Sequence, residues 1–407
     1  MHYYKRLLAD KLTHTLARGK SVLLLGARQT GKTTFIKNEC QYDLYYNFLL
    51  RDIRLRFEQN PDALIQEVKA YQLTKALADR LPLIVIDEVQ KVPDIVDTVQ
   101  YLIDEKLAQF ILTGSSARKL GGEEVRNLLP GRIVKLHLDP LCLIELPTLP
   151  DVQAFLSFGS LPHIILEPEN DNKEVDLVSY VETYLEEEIR TEAKVRNLGT
   201  FSKFLQYAAI EAGAVLNMSQ LSQDIGTSRH KIMDYYQLLK DCMIVDEVAP
   251  ITDDHSRRRL TKSNKYLFFD LGVRRVCANE GTRLPDKMLG HLFEQFIGME
   301  LQRYLRLYNP ASTLKYWRDH GGPEVDYVID LQGTYCPIEV KWAEMPKENH
   351  CKHLLTFMNE YPTTEHGYLV CRTSRKMLLH NKILAIPCQE LFQIIVPIFQ
   401  AQLLRFF

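Results

Sequence analysis

The sequence lacks the features of several classes of protein. Its eight cysteines are scattered with no Cys-x-x-Cys pair, which argues against a zinc ribbon or a disulfide framework and suits buried thiols in a reducing compartment. The 50 Lys and Arg residues are balanced by 52 Asp and Glu residues, which excludes a polycation that coats nucleic acid but not a local basic patch. No uninterrupted apolar run approaches the roughly 20 residues that a membrane span needs. We therefore expect a cytoplasmic protein with no membrane partner.

The 407 residues contain 46% hydrophobic side chains, enough for several packed cores. Near the start of the chain, short apolar strands alternate with helical stretches, a pattern typical of a parallel sheet covered by helices. The predicted segments are an α/β domain (1–145), a helical lid-like segment (146–200), a helical unit with short strands (201–280) and a second α/β domain (281–407).

A glycine-rich segment after the first predicted strand has the spacing of a phosphate-binding loop. The apolar strand 22–25 runs into the pattern G-x-x-x-x-G-K-[ST], and a helix follows. The glycines let backbone N–H groups turn toward phosphates, and the helix N-terminus adds partial positive charge. We expect Lys32 to reach the β- and γ-phosphates of ATP and the Thr33 hydroxyl to bind Mg²⁺. The predicted nucleotide-binding residues of this loop are Gly26, Ala27, Arg28, Gln29, Thr30, Gly31, Lys32, Thr33 and Thr34.

Two carboxylates follow a second apolar strand, 83–86. Ligands bind at the carboxyl ends of strands in open parallel sheets, so Asp87 is expected to hold Mg²⁺ and Glu88 to orient and polarise the attacking water. The alternative is a strand that ends in a solvated acidic turn. A third strand ends in hydroxyl side chains, and Thr113 or Ser115 is a candidate contact for the water or the γ-phosphate.

Four strings in the first 145 residues, GARQTGKTT, LIVIDEVQKVPD, FILTGSSARKL and LPGRIVKLHLDPL, resemble the AAA+ ATPases. They are most similar to a bacterial and archaeal family in which such a domain (AAA_14) precedes a C-terminal domain of unknown function, DUF4143. The resemblance implies ATP hydrolysis, strand order 5-1-4-3-2 and a homo-oligomer, for which a ring is one arrangement. In such ATPases an arginine before the last strand often completes a neighbouring subunit's site. Arg132 stands there, with Arg126 as second choice; a surface arginine in a turn is the alternative.

Residues 218–239 predict a helix, a tight turn and a second helix, as in a winged helix. Gly226 would supply the turn and Ser228 would cap the second helix. Between positions 255 and 275, seven Lys and Arg residues accompany a single acid, which favours a basic wing that contacts the DNA backbone. The alternative is a protein-docking unit whose arginines solvate a loop. The candidate DNA-binding residues are Arg229, Lys231, Arg257, Arg258, Arg259 and Lys262.

Two strand-like runs flank a Gln-Gly pair near residue 332, which predicts a hairpin. With the turn centred there, Asp326 faces Glu339 and Glu324 faces Lys341 on one face of the sheet. Carboxylates this close repel unless a cation lies between them, so we expect Mg²⁺ or Mn²⁺ to bridge Asp326 and Glu339. Lys341 would orient a water and stabilise a phosphate, as metal-assisted cleavage of a phosphodiester bond requires. A salt-bridged hairpin is the alternative.

The pattern Asp-x(12)-Glu-x-Lys resembles the PD-(D/E)xK nuclease superfamily, as does the order helix, three strands, helix and strand read from 286 to 371. The resemblance implies a restriction-endonuclease-like fold and adds Glu294, on the preceding helix, to the metal ligands. Glu-Val-Asp stands where the superfamily has Pro-Asp. The expected function is an ATP-hydrolysing AAA+ protein that acts on DNA and carries a metal-dependent nuclease domain. The alternative is an ATP-switched regulator or defence module that binds DNA or protein and has an inactive nuclease fold.

Overall fold

The computed structural model describes residues 3–74, 80–115, 131–148, 151–185, 198–252, 260–319, 322–393 and 396. The chain divides into two compact units. The first consists of Met1–Leu141 with Asp241–Ile244, and the second of Cys142–Lys240 with Val245–Phe407. Within the described ranges, no helix is both long and apolar enough to cross a membrane.

A five-stranded parallel sheet forms the centre of the first unit. Its strands are β1 (Ser21–Leu25), β2 (Leu44–Asn47), β3 (Leu83–Asp87), β4 (Gln109–Gly114) and β5 (Ile133–His137). They lie in the order β2-β3-β4-β1-β5, which is the predicted order counted from the other edge. The predicted fold class is therefore confirmed for this unit, although the position of the short strand β2 in the sequence was not predicted.

Helices flank this sheet and bury its strands. They are α1 (Leu8–Ala17), α2 (Lys32–Glu39), α3 (Arg51–Gln59), α4 (Ala63–Thr74) and α5 (Ile95–Asp104). All five residues of β3 are buried, as a central strand that is covered on both faces requires. Because the strands are parallel, their carboxyl ends meet at one edge, where side chains that follow β1, β3 and β4 come together.

The second unit begins with helices. They are α6 (Val152–Phe158), α7 (Pro162–Leu166), α8 (Asn170–Ser179), a π-helical segment (Tyr180–Leu185), α9 (Leu198–Ile210), α10 (Met218–Ile225) and α11 (Arg229–Asp241). Gly226 ends α10 in the left-handed region with φ of 77°. The Lys231 amide donates to Ser228 Oγ at 3.2 Å, as expected for a residue that caps α11. The predicted helix-turn-helix elements are therefore present.

An eight-stranded mixed sheet follows in the order β12-β13-β11-β10-β9-β8-β6-β7. Its strands are β6 (Val245–Pro250), β7 (Lys265–Phe268), β8 (Thr313–Arg318), β9 (Glu324–Leu331), β10 (Thr334–Val340), β11 (Gly367–Cys371), β12 (Met377–His380) and β13 (Ile383–Pro387). The accompanying helices are α12 (Leu271–Cys277), α13 (Asp286–Tyr308) and α14 (Lys352–Glu360). The order from α13 to β11 is the predicted helix, three strands, helix and strand.

The hairpin of β9 and β10 has the register that the sequence predicts. Tyr327 pairs with Ile338 and Leu331 with Thr334, around a turn at Gln332 and Gly333. Both turn residues have positive φ, 58° and 96°, which a two-residue hairpin turn of this kind requires. The register carries Asp326 and Glu339 toward the same end of the hairpin.

Candidate nucleotide site and acidic cluster

The phosphate-binding loop is already folded around its lysine. Lys32 is 6% exposed, and its Nζ donates to the carbonyl oxygens of Gly26 at 2.8 Å and Ala27 at 3.0 Å. A Cβ at Gly26 would lie 2.4 Å from the Leu138 carbonyl oxygen, so this position accepts only glycine without a backbone shift. Gly31 adopts φ of 92° and starts α2, where a Cβ would be strained. The local geometry is that of a loop able to hold phosphate groups.

The other predicted loop residues complete this turn. Thr30 is buried and its hydroxyl donates to the Ala27 carbonyl at 3.0 Å. Gln29 is exposed and left-handed, with φ of 62°, and Arg28 precedes it. Thr34 lies exposed in the first turn of α2.

A buried arginine that the sequence analysis missed supports the loop from the N-terminal side. The Arg6 guanidinium donates to the carbonyl oxygens of Thr30 at 3.0 Å, Asp139 at 2.6 Å and Pro140 at 3.3 Å. It thereby ties the loop to the segment that follows β5. An isolated arginine carries no motif, so no sequence signal could have identified it.

Three hydroxyl groups surround the Asp87 carboxylate, which is 3% exposed. Thr33 Oγ1 and the Tyr45 hydroxyl each donate to Oδ2 at 2.7 Å, and Thr113 Oγ1 donates to Oδ1 at 2.5 Å. The structure thus brings together Thr33 and Asp87, the two residues predicted to bind Mg²⁺. Thr113, predicted to touch water or phosphate, here orients Asp87 and accepts the Glu88 amide at 3.0 Å.

Tyr45, on β2, was not identified from the sequence because the position of β2 was not predicted. Burial, reinforced by the hydrogen bond to Asp87, raises the pKa of its phenol well above the ordinary value. It therefore remains a neutral donor to the carboxylate at physiological pH.

Glu88 has a backbone conformation that is rare for a residue with a side chain. Its φ of 61° and ψ of 48° lie in the left-handed region, and such strain is concentrated at functional sites. Gln90 Nε2 donates to Glu88 Oε2, which also accepts from Ser115 Oγ at 3.3 Å. The carboxylate predicted to activate water is therefore held in place by two polar neighbours at the ends of β3 and β4.

Arg132 lies away from this group. It immediately precedes β5, and its Nε donates to Asp104 Oδ1 at 2.5 Å. Because β5 runs parallel to β1, Arg132 lies at the edge of the sheet where the strands begin, whereas the phosphate-binding loop lies at the edge where they end. The five residues of β5 separate these two edges by about 16 Å. Arg132 therefore lies far from the loop of its own chain, and its role in a neighbouring copy stays a prediction. Arg126 lies outside the described residues.

The predicted DNA-binding residues are only partly described. Arg229 and Lys231 are exposed at the start of α11, and Lys262 is exposed before β7. Lys231 Nζ lies 5.1 Å from the centre of the Tyr235 ring. Arg257, Arg258 and Arg259 lie outside the described residues.

The predicted basic cluster is smaller than its seven residues suggested. Lys265, Arg274 and Arg275 are each at most 2% exposed and are ion-paired. Arg274 pairs with Glu280, and Arg275 pairs with Glu174. Three of the seven cations between positions 255 and 275 are therefore paired with acids that lie outside that stretch.

The hairpin brings two predicted carboxylates together beside a lysine. Lys341 Nζ lies 2.7 Å from Glu339 Oε1 and 3.8 Å from Asp326 Oδ2, and the Val340 amide donates to Asp326 Oδ2 at 2.8 Å. Asp326 and Glu339 are 9% and 3% exposed. Burial, together with repulsion from neighbouring carboxylates, raises the pKa of each to about 7. Glu339 Oε2 is buried and has no hydrogen-bond partner within the described part of the chain.

A buried lysine that was not predicted as a site residue holds the other two acids. Lys265 is 2% exposed, and its Nζ lies 2.9 Å from Glu324 Oε1 and 3.1 Å from Glu294 Oε1. Glu324 also pairs with Arg318 at 3.4 Å, so its ion pairs are with Lys265 and Arg318 rather than with Lys341, the partner that the alternative of a salt-bridged hairpin gives it. Lys341 turns to Asp326 and Glu339 instead.

Glu294, the third predicted metal ligand, is thus paired with an ammonium group. Among the residues that the structure describes, no group of three or more His, Cys, Asp or Glu side chains is arranged to hold a metal ion. What the hairpin does bring together is the two carboxylates of Asp326 and Glu339, with the unsatisfied Oε2 of Glu339.

Comparison with protein families identifies the parts of the chain. Residues 18–146 match the family model of an AAA domain (AAA_14), and residues 289–391 match a domain of unknown function, DUF4143. The chain carries an AAA domain followed by a DUF4143 domain. The predicted AAA_14 and DUF4143 resemblance is therefore confirmed. Residues 149–283, between these two domains, match another domain of unknown function, DUF8612. The division into four segments, the winged helix and the nuclease-like assignment stay predictions.

The related proteins are uncharacterized, so they indicate no activity. Two uncharacterized proteins, from Mycobacterium bovis and Mycobacterium tuberculosis, are each 24% identical over 346 residues, which cover 83% of this chain and 74% of theirs. The crystal structure of protein VC1899 from Vibrio cholerae is 11% identical, with coverage of 94% and 97% of the two chains. Its TM-score of 0.21 is too low to support an argument about the fold.

Proposed function

We propose that the AAA domain binds ATP with Mg²⁺ and hydrolyses it. The observation that supports this proposal is the set of hydrogen bonds from Thr33 and Thr113 to Asp87, which brings together beside the loop Thr33 and Asp87, the two residues proposed to bind Mg²⁺. The Glu88 carboxylate follows Asp87 directly at the same edge of the sheet. This is the arrangement of phosphate loop, metal ligands and base that P-loop hydrolases use.

Each residue has a defined part in the proposed reaction. Lys32, which now bonds to loop carbonyls, would turn to the β- and γ-phosphates. Mg²⁺ held by Thr33 and Asp87 would neutralise charge on those phosphates. Glu88 would orient the attacking water and accept its proton, and Arg132 would reach the γ-phosphate of a neighbouring copy.

Nucleotide binding tests the first part of this proposal. Lys32→Ala should abolish ATP binding in titration calorimetry, because backbone amides alone do not neutralise the triphosphate. Lys69→Ala, which removes a cation from an exposed position on α4, should bind ATP as the wild type does. Equal affinities for the wild type and the Lys32→Ala protein would contradict the assigned site.

We propose as a second function the metal-dependent cleavage of phosphodiester bonds in DNA. The observation that favours it is the unsatisfied Oε2 of Glu339, a buried carboxylate oxygen beside Asp326 and Lys341. A divalent ion held by Asp326 and Glu339 would polarise a phosphate and lower the pKa of a bound water. Lys341 would stabilise negative charge on that phosphate.

Thermal stability in Mn²⁺ tests this second function without relying on activity. On the Lys32→Ala background and without nucleotide, Mn²⁺ should raise the melting temperature, since a ligand of the folded state stabilises it. Asp326→Ala should lose this shift, while Asp330→Ala on the same strand, where Asp330 pairs with Lys315 at 2.8 Å, should keep it.

Lys341→Ala separates metal binding from cleavage. It keeps both carboxylates, so the Mn²⁺ shift should survive while any scission of DNA is lost. A chain that is indifferent to Mg²⁺ and Mn²⁺ would contradict the nuclease proposal and favour the ATP-switched binding module with an inactive nuclease fold.

A further inference from the structure

We infer that Gln90 is a second water-positioning residue of the nucleotide site and acts beside Glu88, an inference that rests on the proposed ATP hydrolysis. Gln90 lies in the 3₁₀ turn Val89–Lys91, directly after the two carboxylates that end β3. Its side chain is 6% exposed. A buried glutamine here is unexpected for a surface turn and calls for an explanation in terms of its contacts.

The amide nitrogen of Gln90 joins the two side chains that line the end of the sheet. Nε2 donates to Glu88 Oε2 and to Ser115 Oγ, the latter at 3.2 Å. The left-handed backbone of Glu88 and the following 3₁₀ turn fold the chain back, so that residue 90 reaches the carboxylate two positions earlier. The strain at Glu88 thus brings the glutamine and the base to one place.

The amide oxygen of Gln90 is the unexplained feature. Oε1 is buried and has no hydrogen-bond partner within the described ranges. A buried acceptor without a partner lowers the stability of the folded state, so a native protein retains one where something else supplies the donor. Because the same amide contacts Glu88 through its nitrogen, the donor that suits this oxygen is a water molecule next to the base.

A second acceptor would help to align the attacking water. A water that attacks the γ-phosphorus must be held by one O–H while its other proton moves to the base. With Gln90 Oε1 accepting one O–H, the proton on the other passes to Glu88. The water oxygen then bonds to the γ-phosphorus, and the bond from phosphorus to the bridging oxygen breaks, releasing ADP and phosphate. A glutamine that orients the attacking water is an established device of P-loop hydrolases in general.

Gln90→Leu tests the inference, because it removes the amide while keeping a buried side chain of similar size. The variant should bind ATP with the wild-type Kd yet show a kcat lower by up to about 100-fold, as expected when a reacting group loses its alignment. Gln90→Glu, which keeps an oxygen but loses the donor to Glu88, gives a second variant in case the first does not fold; its kcat should also fall.

Gln302→Leu is the matched control. Gln302 is another glutamine whose Oε1 is buried without a partner in the described chain, but it lies on α13 of the second unit rather than at the nucleotide site. Its replacement should leave kcat unchanged. A Gln90→Leu protein with wild-type or higher kcat would overturn the inference alone, since the amide would then contribute nothing to the alignment of the attacking water. A wild type that binds ATP without hydrolysing it would overturn the proposed function and this inference with it.

Discussion

At the scale of single residues, the close approach of Gly26 to the Leu138 carbonyl makes the loop sensitive to one added methyl group. Gly26→Ala places a Cβ 2.4 Å from that oxygen and should destabilise the first unit by about 1–3 kcal/mol and weaken ATP binding. Gly281→Ala, which meets no atom within 4 Å, should have little effect on either. Thermal denaturation and ATP titration measure both outcomes, and an unaffected Gly26→Ala protein would refute the packing argument.

The buried carboxylates of the hairpin predict a specific dependence of stability on pH. The pKa of Asp326 and of Glu339 is raised to about 7, so the folded state binds more protons than the unfolded state between about pH 4 and 7. Stability should therefore fall as the pH rises through this window, by up to about 1.4 kcal/mol per pH unit for each extra proton bound.

Asp326→Asn should flatten this dependence and make the protein more stable than the wild type at pH 8. Denaturant unfolding at several pH values, in the absence of divalent ions, measures the slope. Equal losses of stability in the wild type and the variant between pH 5 and 8 would contradict the raised pKa of the hairpin carboxylates.

At the scale of elements, the exposed start of α11 and the exposed Lys262 before β7 are the described part of the DNA interface predicted from the sequence. Arg229→Ala, Lys231→Ala and Lys262→Ala should each weaken binding to duplex DNA, and each lost phosphate contact should reduce the slope of log affinity against log salt by about 0.9. Lys240→Ala, on the same helix but paired with Glu247, should leave the slope unchanged. Unchanged slopes for all variants would place the DNA contact elsewhere or exclude it.

The hairpin shows which elements a sequence can predict. Side chains alternate along a strand and a two-residue turn sets the pairing, so the register of β9 and β10 followed from local residues alone. The glycine-rich loop and the Asp87-Glu88 pair were equally local signals. The strand order of the first sheet, by contrast, came from the resemblance to AAA+ proteins.

The features that the sequence analysis missed are contacts between residues far apart in the chain. Tyr45 reaches Asp87 from a strand too short to be predicted, and Arg6 reaches carbonyl groups beyond residue 138. Lys265 was counted among the seven cations of the basic segment, but its acidic partners lie on α13 and β9. Such pairs depend on tertiary packing, which local patterning does not contain.

At the scale of the whole molecule, the position of Arg132 predicts that hydrolysis requires assembly. Arg132→Ala should lower kcat by about 10³-fold or more while the Kd for ATP stays the same. Arg54→Ala, which removes a surface cation paired with Glu58, should remain active.

Mixing Arg132→Ala with Lys32→Ala protein should restore activity, because each supplies the part that the other lacks. Absence of rescue, with both proteins folded, would count against a role across subunits.

The most direct test of the central claim is the release of phosphate from ATP by the purified wild-type protein with Mg²⁺, compared with Glu88→Gln. The account predicts that the wild type turns over and that Glu88→Gln binds ATP, because Asp87 and Lys32 are intact, yet releases at least about 100-fold less phosphate per unit time. A Glu88→Gln protein as active as the wild type, or a wild type that binds ATP and releases no phosphate, would contradict it.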